Sequence, residues 1–306
     1  MSFYRYVKKI VKAPFHLVGL DLVRREASDP EPDPLPSLFE DPREALCYRQ
    51  GGKPAAFECP LSDTIIRKGF SYSPDGWHPF VATLRQYAAG SNSCYSDSIL
   101  KQYYEAHQPV NGADAIAGFD QVPDLYTEYP THAYRMSPWR SYTVDEIDQI
   151  VREWSKEDNQ EHGNAEHDWS LETDGFQYHG PVSDRKGQLE YQRLVDVYES
   201  IRTRGYNRFC GHAHFLVLRR GEDIRFLNKG PGIHRAAAMA ALGYETIPAV
   251  FSEPHIVDVD MAEYWPQVRR DVWTREQAEA YLDHLFDFDS RAWARERNFL
   301  SSRRSL

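Results

Sequence analysis

The sequence predicts an α+β fold: a small mixed sheet with flanking helices, joined to a largely helical N-terminal region and a helical C-terminal tail. Two short apolar runs, 215–218 and 224–227, lie on either side of a Gly-Glu-Asp turn and predict a β-hairpin. The alanine-rich run 236–242 is followed by Gly243 and predicts a helix, and 246–251 predicts a third strand. These elements are close together in the chain and indicate one sheet domain.

The remaining helices are predicted from apolar faces and capping residues. Thr143 with Glu146, and Thr274 with Gln277, have the spacing of capping boxes and mark two helix starts. A third helix ends at Gly205, a residue type that is common at helix C-termini. The helices predicted in this way are 79–89, 98–107, 143–154, 185–204 and one that starts at 274.

An acidic, histidine-bearing stretch at 157–174 is expected to be a solvated loop. Its histidines, His162 and His167, lack the H-E-x-x-H spacing of a helical zinc site, so no metal site is predicted there. The four cysteines are scattered along the chain without a C-x-x-C pair, which also argues against structural zinc.

Five segments are expected along the chain. Residues 1–25 alternate basic and apolar side chains, and two alternatives stay open for them: contact with an anionic membrane surface, or docking on protein. Proline and acidic residues make 26–41 an extended linker. The other three segments are an N-terminal region of unknown type at 42–179, the sheet domain at 180–252 and a C-terminal tail at 253–306. In that tail, Phe286, Phe288 and Trp293 are expected to pack against the sheet domain.

Charge and hydropathy limit the classes of function. The 306 residues carry a formal net charge of −10, which disfavours nucleic-acid binding, because that affinity depends on lysine and arginine neutralising phosphates. No apolar run reaches the roughly 18 residues of a membrane span, and the N-terminus lacks the pattern of a signal peptide. The expected location is therefore the cytoplasm, with residues 1–25 as the candidate contact to the inner face of the membrane.

A glycine-rich turn that leads into the alanine-rich helix is the candidate binding site. The first N–H groups of a helix have no partner within it and carry partial positive charge, so a phosphate binds there readily. Arg235 could hold that anion with two parallel hydrogen bonds, or it could form only a structural salt bridge. The candidate phosphate or nucleotide ligands are Gly230, Gly232, Ile233, His234, Arg235 and, from an earlier loop, Arg208.

The order of these elements resembles the ParB/sulfiredoxin-like superfamily, which includes the N-terminal domain of ParB partition proteins, sulfiredoxins and free serine kinases. In that superfamily the G-x-H-R segment binds nucleotide phosphates, so the resemblance implies a nucleoside triphosphate or diphosphate ligand with Mg²⁺. The whole chain is also similar to uncharacterised bacterial proteins of surface-polysaccharide gene clusters, which implies a place in polysaccharide biosynthesis. The superfamily resemblance spans residues 181–251 and depends on Ser200-Ile201, Gly205-Tyr206, Gly232, His234-Arg235, Ala237, Leu242-Gly243 and Ile247-Pro248.

Two departures from the superfamily pattern limit the implied activities. The segment Lys229-Gly230-Pro231 stands where many relatives have an acidic residue before the glycine, which weakens the case for carboxylate-assisted phosphoryl transfer. Ile233 occupies the loop position where sulfiredoxins have a cysteine, so sulfiredoxin activity is not expected. DNA binding of the ParB kind is disfavoured by the negative charge of the chain.

Two functions are predicted from these observations. The first is a nucleotide-dependent phosphotransferase that acts on a small hydroxylated substrate, with His234 orienting or protonating the phosphoryl group and Glu190 as the candidate general base. Glu199, on the same predicted helix, is the alternative base, and a surface carboxylate is the alternative interpretation of both. The second function is a non-catalytic protein that binds a nucleotide or sugar nucleotide and associates with a membrane or a biosynthetic partner.

Overall fold

The computed structural model describes residues 37–90 and 94–300. They form one mixed sheet with helices packed against it, which confirms the predicted combination of a mixed sheet, flanking helices and C-terminal helices. The basic segment 1–25 and the first part of the expected linker 26–41 lie outside the described residues. The last part of that expected linker forms a strand at Ser37–Phe39.

Strand β6 lies near the centre of the sheet, which has six strands in the described part of the chain, in the order β1-β2-β6-β4-β5-β3. It is antiparallel to β2 and parallel to β4. Towards one edge, β5 is antiparallel to β4 and parallel to β3. The strands are β1 (Ser37–Phe39), β2 (Ala55–Pro60), β3 (Thr64–Ile66), β4 (Ala213–Arg220), β5 (Asp223–Asn228) and β6 (Thr246–Asp258).

The predicted helices are confirmed, and both capping boxes are formed. The Thr143 hydroxyl accepts from the Glu146 N–H while the Glu146 carboxylate accepts from Thr143, and Thr274 and Gln277 repeat the arrangement. Within the described ranges, no helix is both long and apolar enough to cross a membrane. The helices are α1 (Pro42–Gln50), α2 (Pro79–Ala88), α3 (Ile99–Ala106), α4 (Val144–His162), α5 (Leu171–Asp174), α6 (Asp184–Arg204), α7 (Ile233–Ala241), α8 (Pro266–Arg269), α9 (Arg275–Asp287) and α10 (Ser290–Glu296).

The N-terminal region is less helical than predicted, because it supplies β2 and β3 to the described sheet, next to β1 from the expected linker. Most residues of β2 are buried, so the run lacks the alternation of apolar and polar residues that identifies a half-exposed strand. Strands from the expected segments 42–179 and 180–252 therefore pair in one sheet. Across that pairing, Phe57 of β2 stacks on Phe251 of β6 with 4.2 Å between ring centroids.

Helix α4 continues beyond its predicted end, so only 163–170 of the stretch 157–174 is the expected solvated loop: α4 covers the start of the stretch and α5 its end. The reason lies in polar contacts with α6. Asn159 is buried and its side-chain oxygen accepts from Lys186, while Asp158 pairs with Arg193 at 2.6 Å. Polar residues thus extend the buried face of α4 past the point where its apolar spacing stops.

The C-terminal tail packs largely against the N-terminal region rather than the sheet domain, which corrects the expectation for two of its three aromatic residues. The ring centroids of Trp293 and Phe288 lie 5.0 Å and 6.3 Å from that of Phe70, which follows β3. Phe286 meets the expectation, because the guanidinium of Arg220 from β4 lies 4.6 Å from its ring centroid. The sequence alone does not indicate which partner a long aromatic side chain contacts.

Gly187 of α6 lies against the buried ring of Tyr95, since a Cβ at this position would overlap the phenol. Alanine normally stabilises a helix relative to glycine by about 0.5–1 kcal/mol. Here Gly187→Ala is expected to have the opposite sign and destabilise the fold by about 1–3 kcal/mol, as overpacking does. Urea unfolding checks this, and Tyr95→Leu in the same chain should recover part of the loss. A more stable Gly187→Ala variant would contradict the close contact.

Candidate functional site

A cavity of about 20 Å³ opens at one edge of the sheet. Strands β3 and β5 are parallel, with Ile66 opposite Asn228, so the residues that follow them meet at the same edge. The first turn of α7 contributes Ile233 to the wall. Four lining residues are basic and none is acidic. The lining residues are Ile66, Arg67, Lys68, Tyr134, Arg135, Tyr178, Asn228, Lys229 and Ile233.

Arg67 brings a buried donor without a partner to this cavity. It is only 8% exposed, and its Nη1 donates to the carbonyl of Lys229 at 3.2 Å, but its Nε–H has no hydrogen-bond partner. Burial, and then the nearby charge of Arg135, lower the pKa of Arg67 to about 10. Because buried donors are normally satisfied, the Nε–H of Arg67 is a candidate donor to a group that accepts hydrogen bonds.

The amine of Lys68 is buried in the wall with no carboxylate among its contacts. It donates to the carbonyl of Ala115 and lies 3.3 Å from Nε2 of His107 and 4.6 Å from the ring centroid of Tyr134. Burial lowers the pKa of Lys68 well below its ordinary value. An anion in the cavity would supply the missing negative charge and favour the ammonium form of Lys68.

Lys229 connects the cavity to a carboxylate outside its wall. Its ammonium contacts Oε1 of Glu253, which Arg140 also contacts, and Nε2 of His255 lies 3.3 Å from Oε2. Burial lowers the pKa of Lys229 to about 8, against the raising effect of Glu253. Burial would raise the pKa of Glu253, but Lys229 and Arg140 outweigh it and hold this pKa below its ordinary value. Glu253 is therefore a carboxylate at neutral pH.

The two residues predicted to be catalytic, His234 and Glu190, lie side by side, with 3.0 Å between Nε2 and Oε2. Glu190 is completely buried, so the alternative of a surface carboxylate is wrong for it. Glu199, in contrast, is partly exposed and pairs with Arg202 at 2.6 Å. Neither His234 nor Glu190 lines the cavity, and their catalytic roles stay predictions.

Glu190 is the centre of a buried ionic network that joins α4, α6 and α7. Its Oε1 lies 2.6 Å from the Lys186 amine and 3.0 Å from Arg193, and Lys186 also reaches Asn159 of α4. Burial opposes ionisation of Glu190, but Lys186, the hydrogen bond from His234 and Arg193 hold its pKa well below the ordinary range. Burial lowers the pKa of His234, so this ring is neutral. The network fixes α7, whose first turn lines the cavity.

Arg235 does not line the cavity and instead holds the preceding loop. Its guanidinium donates to the carbonyls of Cys210, Gly211 and His212, the segment just before β4. This arrangement is neither the anion contact nor the salt bridge considered from sequence. Arg208 lies in the same loop, and its Nε is buried without a hydrogen-bond partner.

The other predicted ligands lie in or next to the cavity. Ile233 is part of the wall, and Gly230 and Gly232 belong to the turn between Lys229 and Ile233, which both line it. Gly232 is the N-cap of α7 with φ of 96°, and a Cβ there would lie 2.6 Å from the Cα of Ala213. A glycine is therefore required where the turn crosses the start of β4.

Sequence reasoning missed most of the basic residues at the cavity. Arg67, Lys68 and Lys229 follow directly after strands. Residues that follow parallel strands meet at one edge of a sheet, so this position could have identified them as site residues. Lys229 is noted in the sequence only because relatives in the resembled superfamily often have an acidic residue before the glycine of this motif. Arg135 ends a short 3-10 helix and Tyr178 lies in a turn, and no sequence pattern places them beside the sheet.

The described side chains include no group of three or more histidine, cysteine, aspartate or glutamate residues that could hold a metal ion. Any Mg²⁺ at the cavity would therefore be bound largely by the ligand's own phosphates. In comparisons with known proteins, no family model, curated protein or solved structure matches this chain, so the ParB/sulfiredoxin-like resemblance stays a prediction.

Proposed function

We propose that this chain binds a nucleotide or sugar nucleotide through a phosphate group in the cavity between β3, β5 and α7. The observation that carries the proposal is the unpartnered, buried Nε–H of Arg67 in a wall with three more basic residues and no carboxylate. Arginine and lysine around an enclosed space are suited to a phosphate, whose oxygens accept several hydrogen bonds. The dipole of α7 adds partial positive charge at the same wall.

The size of the cavity limits which part of the ligand enters it. A cavity needs about 10–15 Å³ to hold one water molecule, and this cavity has about 20 Å³. It therefore admits one oxygen of a phosphate group, while the rest of the ligand lies outside. Binding is the function that the geometry supports best, because the predicted catalytic pair His234–Glu190 does not line the cavity. The proposal includes polysaccharide biosynthesis only as the process in which such a nucleotide or sugar nucleotide would be used.

Isothermal titration calorimetry with ATP, ADP, CTP, GTP and a nucleoside diphosphate sugar, each with Mg²⁺, tests this proposal. Inorganic phosphate and sulfate belong to the same panel, because they report on the anion site without a nucleoside. We expect at least one nucleotide to bind and phosphate or sulfate to compete with it. If none of these ligands binds to the wild-type protein, the proposed function is wrong.

The affinity for sulfate is expected to fall as the pH rises through about 8, where Lys229 loses its proton. Burial depresses this pKa, and an anion favours the ammonium form, so binding takes up a proton above pH 8 and weakens up to about tenfold per pH unit. Sulfate is the right probe because, unlike phosphate, it does not change its own charge in this range. We choose the range from pH 6.5 to 9.5 for calorimetric titration with sulfate, which measures the affinity as a function of pH. In Lys229→Gln the decline about pH 8 should disappear, and a wild-type profile that is flat contradicts the assignment.

A further inference from the structure

Strand β6 carries a bulge that contains Glu253. The register of β6 against β4 shifts after Phe251, so β6 has extra residues before it pairs with β4 again at Ile256. Bulges of this kind redirect side chains out of the regular ladder. Glu253 is one of the extra residues, and its carboxylate contacts Lys229, which lines the cavity. Glu253 itself does not line the cavity, and this lysine connects it to the wall.

The carboxylate of Glu253 is shared between two cations. Its Oε1 contacts both the Lys229 ammonium and the Arg140 guanidinium, and its Oε2 lies 3.3 Å from Nε2 of His255. The two cations are largely buried, with the side chains of Lys229 and Arg140 14% and 18% exposed. Arg140 does not line the cavity. The carboxylate is therefore the present charge partner of a lysine that a bound anion would also need.

Building on the proposed phosphate binding, we infer that Glu253 is an internal competitor of the ligand: its carboxylate pairs with Lys229 when no ligand is bound, and a bound phosphate displaces it. Arg140 keeps the carboxylate after this exchange, so no buried charge is left without a counter-ion. The ligand must break one ion pair to form another, which lowers its affinity. Glu253 thus sets the ligand concentration to which the site responds.

A carboxylate that only positions Lys229 would have the opposite effect on affinity. Its removal would leave the ammonium group without a fixed direction, and the ligand would bind more weakly. Competition predicts tighter binding instead, because Lys229 then meets the ligand without first losing another partner. The sign of the change in affinity therefore separates the two roles.

Calorimetric titration with sulfate, and with the nucleotide that binds best in the panel, measures this change. Glu253→Gln is expected to tighten the binding of both about three- to tenfold, as the loss of one competing ion pair allows. Glu58→Gln in β2 is the matched control, since it changes the net charge equally at a carboxylate that accepts from the Thr246 hydroxyl. This control should keep the wild-type affinity.

Double-mutant cycles separate competition for Lys229 from general repulsion between Glu253 and the ligand. In a Lys229→Gln background, Glu253→Gln should leave the affinity for the nucleotide unchanged within about twofold. Repulsion would give the same gain in both backgrounds. Arg140→Gln should weaken binding while Glu253 is present, because the displaced carboxylate then lacks its second cation, and should have no effect in the Glu253→Gln protein.

The outcomes separate this inference from the proposed function. Unchanged or weaker binding by Glu253→Gln overturns the competition, and so does an equal gain in the Lys229→Gln background. In both cases phosphate binding stands. If nothing in the panel binds to the wild-type protein, the proposed function itself fails. Should Glu253→Gln not fold, Arg140→Gln decides: weaker binding supports the exchange, and unchanged binding counts against it.

Discussion

Replacing Arg67 by glutamine is expected to weaken the binding of a phosphate-bearing ligand at least about 30-fold, or about 2 kcal/mol. The loss follows because the variant removes a buried cation that lines the cavity. Without ligand, the variant should be as stable as the wild type or more stable, since a buried charge with no carboxylate partner costs desolvation energy. Calorimetric titration gives the affinity, and thermal unfolding in the absence of ligand gives the stability.

Arg235→Gln is the matched control for that experiment. Arg235 holds three carbonyl groups of the loop before β4 and does not line the cavity, so its loss should reduce stability and leave the affinity nearly unchanged. The two arginines are thus expected to give opposite patterns. If Arg235→Gln abolishes binding while Arg67→Gln retains it, the phosphate lies at the turn predicted from sequence rather than in the cavity.

Replacing Glu190 by glutamine is expected to destabilise the fold by about 3–5 kcal/mol, the cost of leaving a buried charge without its partner. The Lys186 amine and the Glu190 carboxylate are both completely buried and 2.6 Å apart. The variant therefore leaves an ammonium group in the core between α4, α6 and α7. Denaturant-induced unfolding measures the change through a lower midpoint with a similar slope.

Glu199→Gln is the control on the same helix. Glu199 pairs with Arg202 at the surface, where such pairs contribute about 0–1 kcal/mol, so little change is expected. Lys186→Met combined with Glu190→Gln should recover part of the stability, since it removes the orphaned cation. A Glu190→Gln protein that unfolds at the wild-type midpoint would contradict the buried network.

Elements with local signals were predictable, and the pairing of distant strands was not. Capping boxes at Thr143 and Thr274 and the alanine-rich run of α7 specify their helices within a few residues of sequence. Strands β1 and β3 have three residues each and carry no periodicity. Their place in the sheet depends on partners far along the chain, which is why the N-terminal region was expected to be mainly helical.

The candidate site shows the same division. The turn at Gly230–Gly232 was recognisable, because glycine before an alanine-rich helix has a local meaning. The directions of the His234 and Arg235 side chains were not recognisable, because neighbouring residues on a helix point to different faces. His234 points towards Glu190, and Arg235 points towards the loop before β4. Arg67 became a candidate only when the parallel pairing of β3 with β5 placed it beside α7.

The wall of the cavity is assembled from segments on both sides of the predicted domain boundary, from Ile66 to Ile233. Occupancy of the cavity is therefore linked to folding of the whole described chain rather than to one part of it. A ligand at a hundred times its Kd would add about 2.7 kcal/mol to the global free energy of unfolding. Amide hydrogen exchange should consequently slow in β2 and β3 as well as in β5 and α7, which makes the binding site a reporter of cooperativity between the two halves of the chain.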